Sequence, residues 1–108
     1  MRVSLIVIRA ADIEATRRFY ELIGAHFTPE QHGRGPLHYA AELGEVVFEI
    51  YPLGDRPPTT SVRLGFRVPS VVAVVTALRD IGVECRLSAE ADHAVVTDPD
   101  GHRVELTQ

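Results

Sequence analysis

At 108 residues, 45% of them hydrophobic, the chain has material for one soluble domain with a moderate core. A net charge of −4 without a basic stripe excludes a nucleic-acid surface, and the Arg17-Arg18 pair reads as a solvated helix face. The apolar amino-terminal run stops at Arg9, too short for a membrane span or signal-peptide core, and Cys85 has no disulfide partner, so a cytoplasmic protein is expected.

Val3 to Ala10 is nearly all apolar, the pattern of a strand covered on both faces. Asp12 caps a helix running to Ile23 and stopped by Gly24, with Ile13, Thr16, Phe19, Tyr20 and Ile23 as its buried stripe. A peripheral strand flanked by His26 and His32 precedes a turn at Gly33 to Pro36. His38 to Leu43 is the next strand, and Gly44-Glu45 turns it tightly into Val46 to Tyr51. Pro52 to Thr60 holds three prolines and a glycine and reads as a linker. The chain thus divides into module one at 1–52, a linker at 53–60 and module two at 61–108 of a single domain.

Module two repeats the plan. Val62 to Val68 is a strand, and Pro69-Ser70 opens a helix ending at Ile81-Gly82. Its valines favour a strand, but the spacing 71, 74, 75, 78, 81 is helical. Short strands follow at Glu84 to Leu87, which includes Cys85, and at His93 to Thr97. Asp98-Pro99-Asp100-Gly101 then turns into a last strand, Arg103 to Thr107. Residues 5–25 slide by 58 positions onto 63–83 without a gap, and Phe48-Glu49-Ile50 meets Val104-Glu105-Leu106 at an offset of 56. The fold class is therefore α+β, two tandem βαβββ modules forming a curved mixed sheet around a central cavity.

In both last strands a glutamate stands between apolar neighbours, so alternation turns Glu49 and Glu105 away from the helices and into the cavity. Carboxylates in such a place need a proton, a cation or an arginine. Arg63 and Arg67 alternate with Leu64, Phe66 and Val68 and point the same way, and Arg103 shares a face with Glu105. A Glu49–Arg63–Glu105 cluster would satisfy both carboxylates without a metal. If Gly44-Glu45 is the hairpin turn, His38 opposes Tyr51 on the face of Glu49 and can serve as base, donor or substitute ligand. His93 is its near-equivalent, 55 residues on, whereas His26, His32 and His102 read as surface residues. Tyr51, Tyr39 and Phe27 are the candidate pocket aromatics. Without any Trp the chain has little platform for a large planar ligand.

The segments "IRAADIEATRRFYELIGAHF", "HYAAELGEVVFEIYP", "LGFRVPSVVAVVTALRDIGV" and "VVTDPDGHRVELTQ" resemble the vicinal oxygen chelate superfamily, which includes glyoxalase I, bleomycin- and fosfomycin-resistance proteins and extradiol dioxygenases. The resemblance spans essentially the whole chain and implies paired βαβββ modules around a cavity, commonly in a homodimer. Metal-dependent members place a ligand on the first strand of each module and another on the last. Those places are Leu5, Glu49, Arg63 and Glu105 here. The glutamates match. Leu5 has no donor atom, and Arg63 would repel a cation, so no cofactor is expected. A divalent metal on Glu49 and Glu105, completed by His38 or water, is the alternative.

The leading expectation is a metal-free protein that binds a small anionic or phenolic ligand in the inter-module cavity. Arg63, Arg67 and Arg103 would supply the charge, with Tyr51 and Leu5 on the wall. The second is an enzyme of the superfamily, either a metal-dependent lyase, isomerase or dioxygenase, or a metal-free one using Glu49, Glu105 or His38 to move a proton beside an Arg. A third is an assembly domain with a sealed cavity.

Overall fold

The computed structural model describes residues 1–108. It divides into two compact units, Met1–Thr59 and Thr60–Gln108, each a βαβββ module. Unit one runs β1 (Leu5–Ala10), α1 (Ile13–Ile23), β2 (Phe27–Glu30), β3 (His38–Leu43) and β4 (Val46–Pro52). Unit two runs β5 (Arg63–Arg67), α2 (Val71–Asp80), β6 (Cys85–Leu87), β7 (His93–Thr97) and β8 (Arg103–Thr107). The strand orders are the same in both, β1-β4-β3-β2 and β5-β8-β7-β6, with one parallel pair in each otherwise antiparallel sheet. Neither helix is long and apolar enough to cross a membrane.

Local chemistry sets the helix ends as expected. The Asp12 carboxylate accepts from the N–H groups of Glu14 and Ala15, and Ser70 Oγ accepts from Ala73 N–H, so each helix has orphan donors satisfied at its start. Gly24 ends α1 at φ 130°, a conformation that favours glycine. Thr16, Phe19, Tyr20 and Ile23 are buried on α1, and Val71, Val74, Val75 and Leu78 on α2. Ile81, expected on that second stripe, is instead the exposed cap residue. Each core lies between its helix and one face of its sheet. Tyr20 meets Phe48 edge-on at 5.0 Å beside Ile8 and Ile50, and Leu64, Val96, Val104 and Leu106 play the same part in unit two.

β1 departs from the expectation of a strand covered on both faces. It is an edge strand whose Ile8 and Ala10 are buried, while Leu5 is 53% exposed. Its apolar residues outnumber what one helix can cover. That leaves an open face on each sheet, turned away from its helix, and period-two alternation decides which side chains stand on it.

Candidate functional site

The observed register orders the open face of the first sheet into rows. Arg9 lies beside Tyr51 and Glu30 beside His38, and the Tyr51 and His38 rings stack at 4.0 Å and 10°. The next row runs Val7, Glu49, Ala40, Thr28. The tight turn that sets this register is the Gly44-Glu45 hairpin, since Leu43 pairs with Val46. A two-residue connection fixes which residues oppose, and so fixes His38 on the face of Glu49.

His38 is the most constrained side chain of this face, at 1% exposure. Its Nδ1 is 3.2 Å from the Pro36 carbonyl, which can only accept, so Nδ1 carries the hydrogen. Its Nε2 lies 3.4 Å from both Glu30 Oε1 and Glu49 Oε2 yet makes a hydrogen bond to neither. The guanidinium of Arg9 sits 5.5 Å from the Tyr51 ring centre, so Arg9, Tyr51 and His38 form a short column. His32 arrives from the β2–β3 loop, its Nε2 3.6 Å from Glu30 Oε1 and its ring 5.3 Å from that of His38. Glu30, His32 and His38 each offer a ligand atom within 4.8 Å of the others. Beside Glu30 a groove of about 420 Å³ is lined by His26, Thr28, Ala40, Glu42 and Val47.

The second sheet has the same rows with different chemistry. Arg63 stands beside Arg103, Gly65 beside Glu105, and Arg67 beside Thr107. Arg63 Nη2 donates to Glu105 Oε2 at 2.9 Å, and His93 Nε2 is 4.0 Å from Glu105 Oε1. A groove of about 260 Å³ is lined by Glu84, Arg86, Val95, Thr97 and Arg103, the repeat-equivalent of the groove in unit one. Each glutamate therefore has a cationic or imidazole neighbour within its own module, His38 for Glu49 and Arg63 for Glu105. Arg67 and Arg103 are exposed and form no ion pair.

Residues at the superfamily's ligand positions do not fit a metal. Leu5 is an exposed aliphatic, and the guanidinium of Arg63 already occupies Glu105. No chemical step is routed through a metal at those positions. Tyr39 and Phe27, read as candidate pocket aromatics, lie on the helix side. Phe27 packs 6.0 Å from Phe48, and Tyr39 donates its hydroxyl to Glu14. That hydrogen bond lowers the Glu14 carboxyl and raises the Tyr39 phenol from their ordinary values. Burial raises the Cys85 thiol, which stands on the helix side opposite Val96.

His102 is the clear correction to the sequence reading. It is fully buried, with Nδ1 2.8 Å from Asp98 Oδ2, because the Asp98 to Gly101 turn folds back over it. Asp98 Oδ1 accepts from the backbone N–H groups of Asp100, Gly101 and His102. Glu30 and His32 were not read as site residues. Their signal was the hairpin closure that sets residue 30 opposite residue 38.

A glyoxalase-like domain matches residues 5–107. The chain belongs to that family. This glyoxalase-like chain is similar in fold to several solved structures. TnmS3, an antibiotic binding protein from Streptomyces sp. CB03234, is 24% identical with a TM-score of 0.75, over 100% of this chain and 95% of that one. The trypanothione-dependent glyoxalase I of Leishmania major is 21% identical with a TM-score of 0.78, over 100% and 86%. The oxidase ChaP-H2 is 16% identical with a TM-score of 0.68, over 100% and 94%. No curated protein matches this glyoxalase-like chain at a significant level. A binder, a glyoxalase and an oxidase share the fold, so function has to be argued from the side chains.

Proposed function

We propose that the protein binds a small organic molecule through a carboxylate, phenolate or enolate group held by arginines on the open face of the second sheet. The observation that carries this reading is the Arg63–Arg103 pair. Two guanidiniums side by side in a parallel register repel each other, and Glu105 answers only Arg63. Arg103 lines a groove together with Arg86 and Thr97, so an anion entering there would meet charge and a hydroxyl donor. All eleven basic residues of the chain are arginine, the side chain that grips planar oxyanions with two parallel hydrogen bonds. The fold likeness to an antibiotic binding protein supports a binding role.

NMR titration with a panel of benzoates and phenols tests this, reading backbone and arginine Nε–H shifts. Arg103→Gln should weaken the best ligand by about 10–100-fold, the value of one hydrogen bond to a charged group at about 1.5–3 kcal/mol. Shifts confined to the first module, or unchanged affinity in that variant, would remove the arginine face from the reading. A second reading, an enzyme that moves a proton, is favoured by the environment of Glu49. Its carboxylate is 15% exposed, with the imidazole of His38 directly behind it. Deuterium exchange into a bound ligand's acidic C–H, lost in Glu49→Gln or Glu105→Gln, would identify that activity.

A further inference from the structure

We propose that module one holds one divalent transition-metal ion of the zinc, cobalt or nickel class on Glu30, His32 and His38, with Glu49 as the flanking carboxylate. This site differs from the four positions at which the superfamily places its ligands, and only Glu49 touches both.

Because Nδ1 of His38 donates to the Pro36 carbonyl, the neutral ring presents the Nε2 lone pair to its other side. That lone pair is buried and faces two carboxylate oxygens, each 3.4 Å away. Two carboxylate oxygens facing a lone pair that is itself shut off from water repel it unless a cation lies among them. A proton on Nε2 is the simplest cation. It would have one N–H to share between two acceptors, and a charge-assisted N–H···O contact closes to about 2.7–2.9 Å. The observed separations are longer and of another kind. Ligands at about 2.0–2.2 Å from a tetrahedral ion stand about 3.3–3.6 Å apart, and the Glu30–His38 and Glu30–His32 distances are 3.4 and 3.6 Å.

The surroundings match a ligand histidine as well. The other ring nitrogen is tied to a carbonyl, which fixes tautomer and plane, and the stacked Tyr51 holds the ring from one side. Two imidazoles and one carboxylate suit a borderline transition ion rather than calcium or magnesium, which take oxygen shells. Three protein ligands also leave a coordination position open. Glu30 lines the groove beside His26 and Glu42, so that position has a cleft next to it for a small ligand. The duplicate module serves as an internal comparison. In unit two the residue facing His93 across the hairpin is Ser88, whose Oγ is taken up by Asp92 and the turn. No third donor stands there.

The test uses the untagged 108-residue chain, stripped with chelator and titrated with cobalt(II) and zinc(II). Stoichiometry is read by mass spectrometry and geometry by the visible cobalt spectrum. Uptake of about one ion per chain with a four-coordinate cobalt spectrum is expected. His32→Ala and Glu30→Gln should each weaken uptake more than tenfold; metal-free melting should be unchanged in His32→Ala, whose ring is exposed, and unchanged or raised in Glu30→Gln, which relieves the carboxylate repulsion. Three results would overturn the proposal: no uptake beyond trace, which leaves a proton between the carboxylates; uptake indifferent to His32 and Glu30; or uptake lost in Glu105→Gln. The arginine-face reading survives or fails separately, because it is measured on metal-free protein.

Discussion

Replacing Asp98 by alanine should be among the most damaging single changes in the chain, although the residue lies in a turn. Its Oδ1 accepts three backbone hydrogen bonds of 2.9–3.0 Å, and its Oδ2 lies 2.8 Å from Nδ1 of the buried His102. Alanine removes the carboxylate facing the imidazole and withdraws one acceptor from three N–H groups, of which Gly101 keeps the residue-98 carbonyl at 3.1 Å. Two of those, on Asp100 and Gly101, are only partly buried and can be solvated, so adding three full hydrogen bonds would overstate the loss. Withdrawing an acceptor from the buried His102 N–H and from the buried imidazole beside it costs about 1–3 kcal/mol each, so about 3–5 kcal/mol is the expected effect. On a domain stable by about 5–15 kcal/mol, it corresponds to a fall in melting temperature of roughly 12–20 °C. Asp98→Asn keeps one oxygen for the backbone donors and should lose less, about 1–3 kcal/mol. Urea unfolding followed by far-ultraviolet circular dichroism measures both. A loss within about 0.5 kcal/mol for alanine, the range of an ordinary surface change, would mean that the Asp98 carboxylate does not hold the turn, as would equal losses for the two variants.

Asp12→Ala removes the acceptor for two N–H groups at the start of α1 and should cost about 1 kcal/mol, with Asp12→Ser nearly restoring it. The same unfolding curves check this. Cys85 stands on the helix side with its thiol raised by burial, so it should react with a disulfide reagent far more slowly in the folded chain than in urea. The folded thiol holds its proton more tightly than the unfolded one, so this contribution is whole below the unfolded value and fades as pH rises past it. Cys85→Ala should flatten the alkaline decline in stability, measured by melting from pH 7 upward. A decline of unchanged slope would assign it to other groups.

What the sequence discloses of this fold comes from periodicity and punctuation. Helical spacing at 16, 19, 20, 23 and at 71, 74, 75, 78 survives the strand propensity of the second helix's valines, because packing on one face outweighs intrinsic preference. The Gly44-Glu45 turn was enough to place His38 opposite Tyr51, since a two-residue hairpin leaves no freedom of register. Burial on the open face was not legible in the same way. Leu5 is apolar in an edge strand that has one helix to cover it, Val3 just before the strand is exposed too, and hydrophobicity alone cannot count how many faces will be covered. His102 was missed because a histidine after an Asp-Gly turn looks solvated, and only the backbone of the turn reveals that the aspartate curls onto it. Glu30 and His32 were missed because their partner, His38, is close in space through a loop rather than through a regular spacing.

The two misses share a cause in how the halves of the repeat differ. The offset between equivalent residues is 58 from the first strand through the helix, falls to 55 between His38 and His93, and rises to 56 between Glu49 and Glu105. The register places both length changes in turns. The β2–β3 connection of module one is three residues longer than its β6–β7 counterpart, and the β7–β8 turn is one residue longer than the Gly44-Glu45 hairpin. The longer connection in module one carries His32 back over His38. The longer turn in module two carries Asp98 around His102. Ladder positions between these turns keep their alternation, so apolar residues stay on the helix side in both modules and only the open face is free to diverge. That freedom is visible row by row: Arg9, Tyr51, His38 and Glu30 in one sheet stand against Arg67, Thr107, His93 and Ser88 in the other. The first set gathers carboxylates around an imidazole and suits a cation. The second, with Arg63, Arg86 and Arg103 on the same face, suits an anion. Deleting three residues from the loop at 31–37 should therefore abolish cation binding by module one while leaving its ladder and anion binding by module two intact.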